Sequence, residues 1–594
     1  PADNGGEVSL GSSQVLTVGG GDSDGSGTFH GKLTGEGGLT HEGDGNLELR
    51  AGSGNASDYS GPTTINNSGT ITTAGYGIGD SSAVTLNDTA SLVLSASEEI
   101  GSLASGDTGT EVELGAATGT PSSLRLTTGG NNQTTTYKGL ISGDGGLFKA
   151  GMVSTFTIDR ASGGQNTFGS DLTIDAGVVE LTGGGAIADG TSVVLNRPDT
   201  GKNVKLLVSD SEEINTLSSD IAWLEGSDTP DRTTVVEVAG SETLTLDDQS
   251  DATYYGQIIG TGGLEKTGTA TFTLDNYGID TEADSSYRGG TEVPNESTFA
   301  GATDIKAGKL IVTGHSIGDQ SAVTVYGGAS FQINGTEEIG SLASADTDSQ
   351  QADVVIEPEG EPGDTGADND GGTPDTGATL ITGGNDADTV FTGEIAGEGG
   401  LTKEGDGEFT LDTTGLEPGN TFSGPLTIND GAVTTEGGNS IGDDTAVIVD
   451  DNDEGAADGV GKLNINDSEE VGSLSGDGDV NIGGDSKTRD GLRMRLEAYL
   501  ETRLDDLIRV DDTITYTLTL ENIIGSTITV DDVTANLSGL GAVKLDGSAY
   551  TPDSDIEIAD GATATITGVY TIASDDLDEN DETGNEGALN AISN

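Results

Sequence analysis

The chain has 594 residues, with 102 acidic against 23 basic side chains, a formal net charge of −79 and no cysteine. A field of that sign excludes a nucleic-acid partner and disfavours an anionic membrane surface. The lack of cysteine excludes disulfides, thiolate metal sites and a thiol nucleophile. Self-repulsion of this size destabilises a compact state at low salt. The chain is therefore expected to live in high salt, as in a marine or halophilic setting, or to carry bound divalent cations such as Ca²⁺. No apolar run approaches the roughly 18–20 residues of a transmembrane segment. The opening Pro1-Ala-Asp-Asn-Gly-Gly has no signal-peptide pattern and reads as the start of a mature chain or a fragment.

Glu7-Val-Ser-Leu10 and Gln14-Val-Leu-Thr-Val18 read as the first two strands. A three-part pattern then recurs four times in one order. Its parts are a Gly-Gly-Leu motif ending at Leu39, Leu147, Leu264 and Leu401, an Ile-(Gly/Ala)-Asp turn at Ile78, Ile187, Ile317 and Ile441, and a Glu-Glu-(Ile/Val)-x-(Ser/Thr)-Leu block from Glu98, Glu212, Glu337 and Glu469. The motif leucines are 108, 117 and 137 residues apart, and much of the drift is loop insertion. From that leucine to the turn is 39 or 40 residues in three copies and 53 in the third, where the extra length falls in Asn276 to Phe299. Insertions at fixed points mark loops outside a constant stacked core.

Within each copy, alternating apolar residues such as Leu47/Leu49, Val84/Leu86 and Leu92/Leu94 are separated by Gly, Asn, Asp and Ser. That pattern predicts short strands and tight turns. With 98 glycines and 4% aromatic residues, no single copy buries a thick core, whereas stacking each strand on its successor does. The predicted fold is all-β: a right-handed parallel β-helix, or solenoid, over residues 1–486, its hand following the usual crossover rule. The largest insertion, Asp346 to Thr376, contains the acidic Pro/Gly-rich run Glu357 to Asp370 and reads as an exposed loop.

The pattern from Gly399 to Val433, GGLTKEGDGEFTL followed by NTFSGPLTINDGAV, resembles the passenger-associated repeat of bacterial autotransporter proteins, and Gly37 to Ile65 is similar to it as well. The resemblance implies a secreted β-helical shaft whose repeat is scaffold, with function carried by decorations. No strand series resembling a membrane barrel follows it.

Residues 487–509 differ in composition. Arg489, Arg493, Arg495, Arg503 and Arg509 accompany Leu492, Leu496, Leu500 and Leu504 at i+4 spacing. This predicts an amphipathic helix that caps the open end of the stack, its arginines offering an assembly contact to an acidic neighbour. Residues 510–594 alternate apolar and polar residues, with turn breaks about every ten, and predict a β-sandwich. Tyr570 to Leu577 resembles the closing stretch of the Ig-like repeat domains of bacterial surface proteins.

Candidate chemistry is sparse. Gly21-Asp-Ser-Asp-Gly25 fits G-x-S-x-G without the strand-turn-helix context that a nucleophile needs. His30, His41 and His315 fall in three separate turns, which tells against a triad or a multi-histidine metal site. The paired glutamates of the Glu-Glu block read as a solvated face. Hard-oxygen clusters suited to Ca²⁺ are Asp364 with Asp368 and Asp370, Asp450 with Asp451 and Asp453, and Asp477 with Asp479; no other cofactor is implied. The sequence thus predicts a non-enzymatic, secreted or cell-surface structural protein that assembles head to tail into a fibre, layer or adhesive matrix. Surface glycans or other cell-surface components are further candidate partners. The rival readings are a monomeric displayed adhesin and a polysaccharide-acting β-helix enzyme.

Overall fold

The structure is a computed structural model that describes residues 6–20, 24–52, 54–115, 122–196, 203–220, 234–275, 297–345, 351–358, 378–416, 418–450, 461–467, 469–476, 478–482, 487–489, 492–501, 513–522, 528–530, 544–549, 556–558 and 562–571. Every regular element among them is a β-strand. No helix among the described residues is long and apolar enough to cross a membrane. The chain divides into two compact units, Pro1–Ser321 and Ala322–Asn594.

The first unit is a parallel β-solenoid. Its strands are three to six residues long for the most part, and alternation decides which side chains go in. In Ser91–Leu94, Leu92 and Leu94 are buried while Ser91 and Val93 are partly exposed. Leu92 pairs with Ile71 on one side and Val112 on the other. Leu47, Ile71, Leu92, Val112 and Ile141 thereby form one interior ladder. Each such side chain contributes about 1.5–3 kcal/mol by burial. On a neighbouring face the partners Leu39, Thr63, Val84 and Leu103 follow one another at 24, 21 and 19 residues, one coil each.

The Ile-Gly-Asp signature has a steric cause. A Cβ on Gly79, Gly318 or Gly442 would come within 2.0, 2.0 or 2.3 Å of the carbonyl oxygen of Tyr59, Phe299 or Phe422 on the adjoining coil.

The Glu-Glu-Ile-x-Ser-Leu block is a joint between sheets. Glu98–Glu99 opens a sheet that continues through Arg125–Thr128, Gly146–Lys149, Leu172–Ile174, Val193–Asn196 and Leu217–Asp220. Three residues on, Ser102–Ala104 closes the sheet that runs from Val15–Val18. The next block repeats the handover: Leu217–Asp220 closes one sheet just after Glu212–Ile214 has opened another.

In the second unit the solenoid pattern is the same. The sheet opened by Thr336–Ile339 is closed by Ser473–Gly476, and a second parallel sheet runs from Thr389–Phe391 to Asp479–Ile482. One part of the expected Asp346–Thr376 loop is regular: Asp353–Glu357 is a strand with Val354 and Ile356 buried. Its Asp-Val-Val-Ile-Glu text carries the needed alternation. The rest of the acidic run, and the third-copy insertion from 276 to 296, lie outside the described residues.

The expected helix is corrected by the structure. Leu492–Glu501 is a ten-residue strand, antiparallel to Thr513–Asn522 on one side and to Lys487–Arg489 on the other. Leucines at 492, 496 and 500 satisfy a period of two as well as one near four, and Leu-Arg-Met-Arg-Leu-Glu-Ala-Tyr-Leu-Glu alternates throughout. The β-branched partner Thr513–Asn522 supplies ten paired positions, so tertiary pairing overrides helix propensity. The strand runs close beside Asp479–Ile482, the last described strand of the solenoid. Further antiparallel pairing joins Thr513–Asn522 to Thr563–Thr571, and Ile528–Val530 to Ile556–Ile558. Leu520, Ala564 and Ile566 of the larger sheet share one apolar cluster with Ile556 and Ile558 of the smaller.

Candidate functional site

The residues that the repeat fixes turn inward. Two positions after the motif leucine stand His41, Lys149, Lys266 and Lys403, all at most 1% exposed. Their place follows from strand parity: leucine i points in, so residue i+2 does too. Each cationic head is then satisfied by backbone. Lys149 Nζ donates to the carbonyls of Ala150, Gly151 (3.1 Å) and Ala176 (3.2 Å) and to Ser154 Oγ (3.1 Å). Lys403 donates to Glu404, Gly405 (2.6 Å) and Asp430 oxygens. Lys266 donates to Gly268 (2.7 Å) and Ala307 (3.2 Å) and forms a buried ion pair with Asp248 at 2.9 Å. Burial pushes Lys149 down to about 8 and lowers Lys266 and Lys403 as well, against the pull of nearby acids. His41 ends the strand Gly38–His41 instead of lying in a turn. Its Nε2 meets the carbonyl of Gly45 at 2.9 Å, and its Nδ1 is buried with no partner among the described residues.

In three of the four Glu-Glu pairs the first glutamate is also interior, which corrects the expectation of a solvated face there. Glu98, Glu212 and Glu337 are at most 3% exposed. They head apolar ladders, Glu98 above Leu126, Glu212 above Leu244 and Glu337 above Leu380. In three copies the carboxylate reaches back one coil to accept the N–H groups of the Ile turn. Glu98 accepts from Gly77 and Ile78 (3.2 Å each) and from the Thr73 hydroxyl. Glu212 accepts from Gly185, Ala186 and Ile187 at 2.9, 3.0 and 2.9 Å. Glu469 accepts from Ser440 and Ile441 at 3.0 and 2.9 Å. Desolvation raises all three carboxyls to about 7 against the pull of those donors, with Asp80, Asp189 and Asp443 adding a smaller upward push.

The same turn is held from its other side in two copies. Asn166 accepts from Ile141 N–H (2.8 Å) and donates to the Ala186 carbonyl (2.7 Å). Asn420 does the same between Ile395 and Ser440, at 2.7 Å both ways. These groups are already engaged by partners within the solenoid. Chemically they pin coil to coil.

Of the expected calcium ligands, Asp364, Asp368, Asp370, Asp451, Asp453 and Asp477 lie outside the described residues, as do Arg503, Arg509 and residues 21–23 of the G-x-S-x-G match. Asp450 and Asp479 come near each other: Gly461 donates its N–H to the Asp450 carbonyl and accepts from the Asp479 N–H. Among the described residues no group of three His, Asp or Glu side chains is disposed to hold a metal ion. Arg489 closes Lys487–Arg489, while Arg493 and Arg495 lie on Leu492–Glu501 opposite Glu521 and Thr519.

Comparison with known proteins agrees with this geometry. Residues 39–72, 264–296 and 401–434 match the passenger-associated-transport-repeat, each match opening on an inward leucine of the Gly-Gly-Leu motif. A protein of Brucella suis biovar 1 (strain 1330), described as "Adhesin BmaC autotransporter", is 30% identical over 206 residues. That alignment takes in 34% of this chain and 5% of the relative, so the chain spans a small part of that protein's length. No solved structure matches the chain. The chain thus carries, at three places along its solenoid, segments of passenger-associated-transport-repeat type.

Proposed function

We propose that the chain is a non-enzymatic, extracellular or cell-surface adhesin-type shaft. The observation that carries this reading is that the ionisable residues set by the repeat, Lys149, Lys266, Lys403, Glu98, Glu212 and Glu469, are spent on backbone groups of neighbouring coils. What remains for a partner is an outward surface of short side chains, such as the register-stacked Thr17, Thr40, Thr64 and Thr85. The passenger-type repeats and the adhesin relative support the same reading.

Finer parts of the proposal are longitudinal self-association and an Ig-like character for the antiparallel C-terminal sheets. Self-association is supported by Glu7–Leu10, Val15–Val18 and Gly27–Phe29, each of which has a strand partner on one side only among the described residues. The test couples the full chain to microspheres and scores retention on cultured cells, beside an assay of reducing ends and unsaturated products on a polysaccharide panel. Retention without turnover is expected. Turnover abolished by single carboxylate substitutions would make the chain an enzyme instead. Sedimentation in molar salt decides between fibre and solitary adhesin.

A further inference from the structure

Among the described residues of the solenoid Tyr76 is the most exposed tyrosine or phenylalanine side chain, at 49% exposure. Tyr59, Tyr137, Tyr254, Phe156, Phe168, Phe272, Phe299, Phe331 and Phe391 are fully buried. Tyr76 also has a positive φ of 58°, a left-handed conformation that a bulky side chain seldom adopts. The same turn in the other copies fills its left-handed positions with Gly183, Gly184 and Gly185, with Gly314 and His315, and with Gly437, Gly438 and Asn439. Those are residues that tolerate the conformation. The turn is held firmly enough to impose it. Glu98 grips the N–H groups of Gly77 and Ile78, Thr73 Oγ1 accepts from Gly75 N–H, and the Tyr76 carbonyl accepts from Ser57 N–H at 3.0 Å. Strain that is over-determined in this way is a feature of sites that use it.

We propose that Tyr76 is a ligand-contact residue that stacks the C–H face of a pyranose ring of a neutral carbohydrate. This deepens the adhesin reading and rests on it. The ring is rigid, amphipathic and presented on a clamped turn, which limits the entropy lost on contact. No other exposed large apolar residue lies on this turn: the carbonyls of Tyr76 and Leu49 accept from the N–H groups of Ser57 and Ala74, and Ala96 and Ser97 of the next coil lie against Gly75. A protein hot spot would need an apolar, desolvated surround. The other exposed large apolar residues, Val15, Met152, Val153, Val390 and Val569, belong to other coils or to the C-terminal sheets. The net charge of −79 repels acidic sugars and leaves neutral ones.

The test measures binding of the full chain to immobilised dextran, mannan and galactan, before and after periodate oxidation, and adhesion to cells. Wild type is expected to bind at least one neutral polysaccharide in a periodate-sensitive manner. Tyr76→Gly should weaken that binding tenfold or more while its melting temperature holds or rises by about 1–2 °C, since the strain is relieved. Tyr76→Trp should keep binding. A purely structural tyrosine would do the reverse, losing stability with the ring. Binding of Tyr76→Gly within twofold of wild type, or no polysaccharide binding by wild type, overturns the assignment. Cell adhesion that survives periodate with no polysaccharide bound overturns it too but leaves the adhesin reading standing. No adhesion at all removes that reading as well.

Discussion

Lys266 and Asp248 face each other at 1% and 0% exposure, so each is tolerable only while the other is present. Lys266→Ala leaves a buried carboxylate and the carbonyls of Gly268 and Ala307 without their donor. We expect it to cost about 3–5 kcal/mol in denaturant unfolding, and the pair replacement Lys266→Met with Asp248→Leu to recover most of that. A single variant as stable as wild type would mean that the pair is not buried in solution. The glutamates behave differently because their pKa values move upward. Glu98, Glu212 and Glu469 titrate near 7 in the folded chain against an ordinary 4.5. A raised folded value gives a contribution fully present below the unfolded pKa and lost as pH rises through the folded one. Stability should therefore climb as pH falls from 8 to 5, by on the order of 3 kcal/mol for each such group. Melting temperatures across that window check it. Replacing the three glutamates by glutamine should flatten the curve, and a parallel curve would refute the assignment.

At the scale of elements, Leu492–Glu501 carries a sharp prediction. Its residues 492–494 lie between two antiparallel neighbours, so Arg493→Pro removes a ladder bond there and should unravel the C-terminal sheet while the solenoid persists. Limited proteolysis reads this out as release of the C-terminal part, and far-ultraviolet circular dichroism of the parent chain should show no helical component from the segment. The solenoid strands were legible because Leu92/Leu94 or Val84/Leu86 admit only a period of two. Residues 492–500 suggest a helix because leucines four apart fit both periods, and the deciding partner, Thr513–Asn522, sits elsewhere in the chain. The Gly-Gly-Leu, Ile-turn and Glu-Glu signatures were visible as text, but their physical link was not. That Glu98 closes on Gly77 and Ile78 needs coil stacking to bring residues about twenty apart into register. Lys149, Lys266 and Lys403 could have been placed inside by parity with Leu147, Leu264 and Leu401. Their charge argued for the surface, and the carbonyl cradles that reverse that preference are made by turns on neighbouring coils.

For the whole molecule the charge balance dominates. Lys149, Lys266, Lys403 and Arg160 are buried, so four of the 23 cations are held inside and cannot form surface ion pairs with the acidic exterior. The melting temperature should rise steadily from low salt to molar salt as repulsion is screened. Ca²⁺ at matched ionic strength tests the aspartate clusters: a further rise over Mg²⁺ would mark specific sites, and equal curves would leave screening alone. The joint at each Glu-Glu-Ile-x-Ser-Leu block has another consequence, for how such a chain changes length. One sheet opens and another closes within a few residues there, so two joints are interchangeable splice points. Joining Leu103 directly to Ser218 recreates the block, puts Glu98 where Glu212 stood before Leu244, and removes one whole module without orphaning a strand. That shortened chain should fold with a melting temperature close to the parent's. A cut of half that length from Leu126 onward, which puts the remaining coils out of register, should aggregate. Lengthening or shortening by recombination is then a nearly neutral step for this architecture, with reach as the property that varies.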